Sequence, residues 1–281
     1  MINDIKKDCY IVKSGDNIDY LQFNKLLEFQ DKLTHAVFLK KHDIGFDLFS
    51  RPEIRENAIN RISKEFNIDK NNIIQAKQEH TDIVQNVENI EKNIIKGVDG
   101  FCTNRSNIAS IITFADCIPV MIYDPKENVY ANIHSGWKGV CNQIAIKGIN
   151  KLISDYGCKA NNLIVCIGPN IGKDNFLVND DVVTTYKNVF KNNKNNMENI
   201  NNIDYIDKYP IILDTDLCNE KGKQYRIDNN LLLELMLKNA GILEENIFNC
   251  NICTVSSSDL FHSRRVEGTG FEKNGNLMMI K

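Results

Sequence analysis

The sequence lacks an apolar stretch long enough to serve as an export signal or to cross a membrane. Residues 1–16 mix charged and apolar side chains and contain no continuous apolar core. The most apolar segment, residues 108–123, is interrupted by Asp116 and Pro119 and is shorter than the roughly 20 residues that span a bilayer. We therefore expect a cytoplasmic protein with no membrane partner.

The sequence also lacks an excess of basic residues. Lys and Arg number 34 against 37 Asp and Glu, which gives a formal net charge of −3 at pH 7. No basic block is longer than a few residues. Proteins that bind nucleic acid usually present a basic stripe or patch, so we expect no nucleic-acid partner.

The nine cysteines show neither the even number of a disulfide framework nor the spacing of a zinc finger. Cys250 and Cys253 form a CxxC without a second pair nearby. In the absence of an export signal, we expect most of the thiols to be reduced and buried. The local motifs GxSxG, Walker A, HExxH and GxGxxG are absent as well, so a catalytic site must combine residues from distant parts of the chain.

Helical and strand patterns alternate along the 281 residues, of which 42% are hydrophobic, enough for a sizeable core. Helical spacing predicts helices over residues 51–66, 137–157 and 228–242, and Gly157 and Gly241 are suited to end the last two. The runs between them are short and apolar and predict strands.

No regular βαβ repeat appears among these patterns, which favours an α+β fold with mixed sheets. The low-complexity segment 191–204 predicts a surface loop. Because no linker or internal repeat is evident, we predict a single domain over residues 1–281.

Two histidines and a cysteine are candidate metal ligands: His80 in QEHTDIV, Cys117 in FADCIPV and His134 in NIHSGWKG. Imidazole and thiolate are good zinc ligands, and three protein ligands leave the open position that catalytic zinc uses. The three residues are far apart in sequence and match no local metal motif. Two hydrogen-bonded histidines and a core cysteine are therefore the alternative interpretation.

The neighbours of these residues also carry information. Pro119 removes a ladder N–H group, so we expect the strand to bend or end there, which places Cys117 near a strand end. Asp116 is expected to bond nearby backbone N–H groups; the alternative is that it orients a histidine. Ser135 and Gly136 are small enough for the backbone to approach a ligand closely.

Arginines are concentrated near the C-terminus, in HSRRVEGTG. Arg264 and Arg265 offer guanidinium groups, which suit phosphate or carboxylate, although an exposed charged loop explains them equally well. Lys40 is a weaker candidate of the same kind.

Taken in order, the blocks QEHTDIV, DGFCTN, FADCIPVMIYDP, HSGWKG, IGPNI, DLCN and FHSRR resemble the laccase-domain family. Its older name is multicopper polyphenol oxidoreductase, and its members are described as purine nucleoside phosphorylases with adenosine deaminase activity. The resemblance extends from about Thr34 to the C-terminus and is strongest over residues 78–139.

The resemblance implies a layered α/β/β/α fold and a catalytic metal site at His80, Cys117 and His134. The metal would be Zn²⁺, with Cu²⁺ as an alternative. The implied reactions are cleavage of adenosine, inosine, guanosine and methylthioadenosine with phosphate, and deamination of adenosine. Arg264 and Lys40 match the family's basic positions, and we expect them to bind substrate or phosphate. We expect the N-terminus of the 137–157 helix to assist Arg264.

The sequence departs from the family pattern in two places. The family usually has QVHG where this chain has Glu79 and Thr81 around His80, and its Gly-rich N-terminal segment is shortened here. Three alternatives stay open: a copper-dependent polyphenol oxidase, a cysteine-type amidase acting on a cell-wall precursor through Cys117, and a zinc-binding module without enzymatic activity.

Overall fold

The computed structural model describes residues 5–6, 9–40, 45–46, 52–190 and 205–281. The predicted loop 191–204 lies outside these residues. In chain order, the strands are β1 (Ile5–Lys6), β2 (Tyr10–Ser14), β3 (Asp19–Phe23), β4 (Leu33–Phe38), β5 (Ile73–Lys77), β6 (Val84–Asn86), β7 (Ile94–Lys96), β8 (Gly100–Thr103), β9 (Ala109–Phe114), β10 (Ile118–Asp124), β11 (Val129–Ser135), β12 (Ile164–Ile167), β13 (Leu177–Val178), β14 (Ile212–Asn219), β15 (Gly222–Ile227), β16 (Ile247–Asn249) and β17 (Asn274–Ile280). The helices are α1 (Asn24–Leu27), α2 (Pro52–Phe66), α3 (Trp137–Cys141), α4 (Ile144–Tyr156), α5 (Asp180–Phe190), α6 (Tyr205–Lys208), α7 (Asn229–Asn239) and α8 (Arg264–Glu267).

The strands form two large sheets and one small sheet. The first has the order β1-β2-β3-β4-β17-β9-β5-β7, the second β16-β12-β10-β11-β8-β6, and the third β13-β15-β14. Most pairs are antiparallel, but β5 runs parallel to β7 and β9, β12 runs parallel to β16, and β6 runs parallel to β8. The predicted α+β fold with mixed sheets is confirmed.

Strand β10 shows how the layers arise. Its residues alternate between two faces, as the two-residue period of a strand requires. Ile118, Val120 and Ile122 belong to the core that the second sheet shares with α4 and α7. Met121 and Tyr123 point the other way, into the core between the two large sheets. Both faces of the strand are buried, which explains its continuous apolar run.

The outer face of the first sheet is covered by α2, whose buried residues Ala58, Ile59 and Ile62 pack with strand residues such as Ile111 and Leu277. Helix, sheet, sheet and helix therefore form four layers, as expected. Hydrogen bonds also cross between the two sheets: Asn132 donates to the carbonyl oxygens of Ser110 and Asn276, and the Asn276 amide donates to the Asn132 side chain at 2.7 Å. This buried polar link fixes β11 against β9 and β17.

Two of the predicted helices are confirmed. The 51–66 helix forms as Pro52–Phe66. The 228–242 helix forms as Asn229–Asn239, where the Asp228 side chain accepts a hydrogen bond from the Leu231 N–H and Gly241 follows with a φ of 89°.

The predicted helix over residues 137–157 is wrong as a single element. The chain breaks at Gln143, whose φ of 58° is left-handed, so α3 has five residues and α4 begins at Ile144. Gly157 caps α4, as predicted. A five-residue helix aligns few peptide dipoles, so the expected help of its N-terminus in binding phosphate has no support.

The expectation that Pro119 bends or ends its strand is also wrong. β10 begins at Ile118 and continues through Pro119, which lies opposite His134. Proline is tolerated here because it is close to the first residue of the strand. The chain bends earlier, at residues 115–117, where Asp116 has a φ of 80°. Cys117 therefore lies in a bend before the strand. Among the described residues, no helix combines the length and apolarity needed to cross a membrane.

Candidate metal centre

His80, Cys117 and His134 meet at one edge of the second sheet. His80 lies in the loop between β5 and β6 with a left-handed φ of 57°, and Cys117 lies in the bend before β10. His134 is the next-to-last residue of β11. One ligand atom from each residue lies within 4.8 Å of the others, and His80 Nε2 is 3.8 Å from Cys117 Sγ. The structure therefore brings together the three residues that the sequence suggested.

A fourth residue, Asp99, connects two of them. Its carboxylate is fully buried, and Oδ2 lies 2.7 Å from His134 Nδ1. Because Nδ1 faces this carboxylate, Nε2 of His134 is the ring nitrogen left for a metal ion. The backbone carbonyl of Asp99 also accepts a hydrogen bond from the His134 N–H at 2.7 Å. Asp99 thus fixes both the ring and the backbone of His134.

The same carboxylate holds the loop that carries His80. It accepts the backbone N–H groups of Glu79, His80 and Thr81, and the Thr81 hydroxyl at 2.9 Å. Thr81 belongs to the first of the two departures from the family pattern, because the family usually has glycine at this position. The Thr81 hydroxyl adds a hydrogen bond that glycine cannot make. On the other side of the loop, the Gln78 amide bonds both the N–H and the carbonyl of Thr113. The side chains of Asp99 and Gln78 therefore determine the position of His80.

Gly136 has no side chain, which leaves space for His80 and Cys117 beside its backbone. A Cβ atom added here would lie 2.8 Å from His80 Cδ2 and 3.1 Å from Cys117 Sγ. The first distance is shorter than real Cβ contacts and the second is tighter than most of them, so a larger residue would displace His80 or Cys117. The sequence predicted that the backbone approaches a ligand closely here; the structure shows a close approach to two candidate metal ligands, and the contact with a bound molecule stays a prediction.

The charges at the centre depend on one another. Burial would raise the pKa of the Cys117 thiol, but His134 and then His80 outweigh it and lower that pKa to about 6. Burial would likewise lower the pKa of His134, but Cys117 and Asp99 raise it to about 9. In the metal-free protein, Cys117 and His134 therefore favour a thiolate–imidazolium pair at neutral pH. Hydrogen bonds from His134 and Thr81 overcome the effect of burial and lower the pKa of Asp99.

The set of donor groups fits zinc. Two imidazoles and a thiolate are the ligands that zinc prefers, and three ligands leave one position open. The carboxylate behind His134 is the partner that metal-binding histidines usually have. The structure therefore presents a His-Cys-His group able to hold a metal ion, and it is the only cluster of this kind among the residues described.

A cavity of about 530 Å³ opens beside His80 and Cys117. Part of its wall is apolar, with Ile118, Trp137 and Phe176. Arg264 lines the same cavity, and its guanidinium lies 5.8 Å from the ring centre of Phe271. No carboxylate pairs with Arg264 among the described residues, so its charge is available to an anion.

Arg265 also lines the cavity, and part of its guanidinium is already hydrogen-bonded. Its guanidinium donates to the carbonyl oxygens of Asn175 and Leu177, and its backbone N–H donates to Asp116 Oδ2 at 2.8 Å. The other Asp116 oxygen accepts from the Thr254 hydroxyl. The prediction that Asp116 bonds backbone N–H groups is confirmed for one such group, that of Arg265, which is 149 positions away in sequence. Asp116 thereby joins the Cys117 bend to α8.

Lys40 is not among the residues that line the cavity, and its predicted role as a substrate contact stays a prediction. Its ammonium group pairs with Glu267 at 2.7 Å, and the same carboxylate lies 3.1 Å from His262 Nδ1. The lysine charge is neutralised by an acid that follows the two arginines in sequence. Sequence reasoning could not find this acid, because the pair joins residues 227 positions apart.

Sequence reasoning also missed Asp99. The DGFCTN block entered only as part of the family resemblance, and its Asp-Gly pair by itself is typical of a turn. The sequence did contain a usable signal. Asp99 directly precedes an apolar strand, so its side chain is expected to be buried and to need a buried partner. Nothing in the sequence indicates that this partner is His134.

Comparison with known proteins identifies relatives over most of the chain. The multi-copper polyphenol oxidoreductase laccase family matches residues 37–281. The purine nucleoside phosphorylase YlmD of Bacillus subtilis is 28% identical over 212 residues, which cover 73% of this chain and 69% of that protein. A purine nucleoside phosphorylase of Clostridium acetobutylicum is 31% identical over 153 residues. The match covers 54% of this chain and 63% of that protein, which is less than two thirds of its length.

A solved structure shares the fold over nearly the whole chain. The Bacillus licheniformis protein YfiH superposes with a TM-score of 0.78 at 22% identity, and the superposition covers 96% of this chain and 99% of that protein. At this identity, the likeness supports the fold alone.

We predict that Asp99→Asn weakens zinc binding about 10- to 100-fold, because His134 loses its charged partner and an amide offers one acceptor oxygen where the carboxylate offers two, so the His80 loop and the His134 ring can no longer both be satisfied. Competition with a chromophoric chelator measures the zinc affinity, and the Co²⁺-loaded protein reports the ligand geometry by its visible absorption. Asp124→Asn is the matched control, since this buried acid caps a distant turn through the N–H groups of Lys126 and Glu127. Equal zinc affinities for wild type and Asp99→Asn would contradict the assignment.

We also predict that Cys117 in chelator-treated protein reacts with iodoacetamide as a low-pKa thiol. The thiolate is the reactive form, so the rate should rise through about pH 6 and fall on acidification. In His134→Ala, the rise should move to higher pH, and added zinc should protect the thiol. Peptide mass spectrometry measures the label at each cysteine, with exposed Cys218 as a reference in the same sample. A Cys117 rate that rises only above pH 8 would contradict the charge pairing.

Proposed function

The chain belongs to the multi-copper polyphenol oxidoreductase laccase family, and on that premise we propose that it is a zinc-dependent purine nucleoside phosphorylase. Its substrates are adenosine, inosine, guanosine and methylthioadenosine, which it cleaves with phosphate, and it also deaminates adenosine to inosine. The observation that carries this proposal is the His80–Cys117–His134 group beside a cavity that Arg264 also lines, with no carboxylate paired to this arginine among the described residues. The names of the Bacillus and Clostridium relatives support the choice of reaction.

Phosphorolysis needs three kinds of contact, and the cavity offers groups for each. Phosphate oxygen attacks the anomeric carbon while the bond from that carbon to the base nitrogen breaks, and the base leaves with the electron pair. Arg264 suits the phosphate because a guanidinium binds its oxygens in pairs. The aromatic and aliphatic wall at Ile118, Trp137 and Phe176 suits a flat base. A cavity of this size holds a nucleoside with phosphate beside it.

His80, Cys117 and His134 would hold the zinc ion in this scheme. When bound at an open site, zinc acts as a Lewis acid that acidifies water or polarises an oxygen of the substrate. Asp99 keeps Nδ1 of His134 occupied, so that the imidazole leaves Nε2 for the metal ion.

The histidine count argues against the copper-dependent polyphenol oxidase. The chain has five histidines, and two of them belong to the proposed zinc site. His35 lies in the core, where its Nε2 accepts the Phe23 N–H and burial lowers its pKa to about 3. His262 pairs with Glu267. Neither can join a copper cluster at the candidate site, and His42 lies outside the described residues.

A second candidate function has one specific observation in its favour. Without metal, Cys117, His134 and Asp99 form a nucleophile, a base and an orienting acid, the order found in cysteine hydrolases. A cysteine-type amidase acting on a cell-wall precursor would use this arrangement. A thiolate that ligates zinc cannot also attack a carbonyl freely, so the two functions require different metal states.

Product analysis with metal-analysed protein tests both functions. Adenosine and inosine are incubated separately, with and without phosphate. Ribose 1-phosphate formed only with phosphate supports phosphorolysis, and inosine formed from adenosine without phosphate supports deamination. Neither product from protein with one zinc ion bound would overturn the proposal. Amide cleavage that increases after zinc is removed would favour the amidase.

We predict that Arg264→Ala raises the KM for phosphate at least 10-fold, because a charge-assisted bond to an anion is lost. Initial rates at fixed inosine and varied phosphate measure the effect. Arg105→Ala is the matched control, since Arg105 pairs with Glu88 on an exposed part of the surface and does not line the cavity. An Arg264→Ala enzyme with the kcat and phosphate KM of the wild type would show that the phosphate binds elsewhere.

A further inference from the structure

The Ser135 hydroxyl is buried without a partner. Ser135 is 1% exposed, and its oxygen has no hydrogen-bond partner within the described residues. A buried hydroxyl that makes no hydrogen bond costs free energy, because it has given up its bonds to water. Such groups are uncommon in folded proteins, and each one calls for a physical reason.

Buried hydroxyls elsewhere in the same two sheets are paired. Ser110 on β9 accepts from the Asn132 amide at 3.2 Å, and Thr103 on β8 donates to the Val87 carbonyl at 2.6 Å. The core therefore satisfies hydroxyls where they serve only the fold. Ser135 differs from both because it lines the cavity.

Ser135 is close to two apolar residues of the cavity wall. It pairs in register with Ile118 and precedes Trp137 by two residues, and both line the cavity. A hydroxyl beside such residues can give a flat ligand one directional bond, which is how ligand sites usually fix orientation.

We propose that the Ser135 hydroxyl donates a hydrogen bond to a ring nitrogen of the purine base and thereby selects purine substrates. The proposal rests on the proposed nucleoside phosphorylase function. Ring nitrogens are acceptors that a purine presents in its own plane, so one hydroxyl beside Ile118 and Trp137 matches a base better than a ribose or a phosphate. Those groups need several polar partners, and the cavity supplies them from other segments, such as Asn179 and Arg264.

The test compares Ser135→Ala with wild type as zinc-loaded enzymes. We expect kcat/KM for inosine with phosphate to fall about fivefold to tenfold, the size of one neutral hydrogen bond. Because the lost hydroxyl had no partner in the fold, the melting temperature should not decrease. Ser110→Ala is the matched control: it removes a paired hydroxyl outside the cavity, so its melting temperature should fall while kcat/KM stays unchanged.

A set of nucleoside analogues identifies the contacted atom. The Ki values of 1-deaza-, 3-deaza- and 7-deazaadenosine are measured as inhibitors of inosine phosphorolysis by both enzymes. The analogue that lacks the contacted nitrogen should bind wild type and Ser135→Ala equally well, and the other two should bind the variant about fivefold more weakly. This pattern distinguishes a bond to one ring atom from a general change in cavity shape.

Three results would overturn the inference. An unchanged kcat/KM for Ser135→Ala shows that the hydroxyl does not contact substrate. An equal loss for all three analogues shows that it contacts no ring nitrogen, and a lower zinc content assigns the loss to the metal ligands. If wild type itself cleaves no nucleoside, the proposed function fails and the inference fails with it; if only the variant comparison fails, the proposed function stands.

Discussion

The buried carboxylate of Asp99 is the constraint on which the candidate site depends. A buried charge is expensive unless several donors meet it. Here the donors are the His134 ring and the backbone and hydroxyl of the His80 loop. The loop and the strand cannot move apart without leaving that charge unpaired. Two of the three ligands are therefore held in place before any metal binds, which lowers the cost of ordering them.

The layered fold supplies the rigidity that this arrangement needs. Strand β11 is buried on both faces and is tied to the opposite sheet through Asn132 and Asn276. His134 near the end of such a strand has little freedom, whereas His80 and Cys117 lie in irregular segments with strained or bent backbone. The rigid strand β11 and the irregular segments that carry His80 and Cys117 meet at Gly136, which has no side chain. The cavity opens beside this junction, so a substrate contacts groups whose positions are already fixed.

The basic side chains near the candidate site differ in their bonding. Arg265 and Lys40 were candidates for anion binding like Arg264, yet Arg265 donates to two backbone carbonyls and Lys40 pairs with Glu267. Both sets of bonds hold α8, the helix that begins with Arg264, and among the described residues no carboxylate pairs with the Arg264 guanidinium. Buried hydroxyls follow a similar pattern. Ser110 in the core has a hydrogen-bond partner, whereas the Ser135 hydroxyl in the cavity wall has none among the described residues.

The sequence by itself determined the features that depend on neighbouring residues. The helix ends marked by Gly157 and Gly241 and the kinds of ligand at positions 80, 117 and 134 follow from local chemistry, and the family resemblance added the layer order. Only the tertiary structure decided which partners meet across the chain: Asp99 with His134, Glu267 with Lys40, and Gly136 with His80. It also broke the predicted 137–157 helix at Gln143 and carried β10 through Pro119. These outcomes depend on the register and packing of strands distant in sequence, which local patterns do not encode.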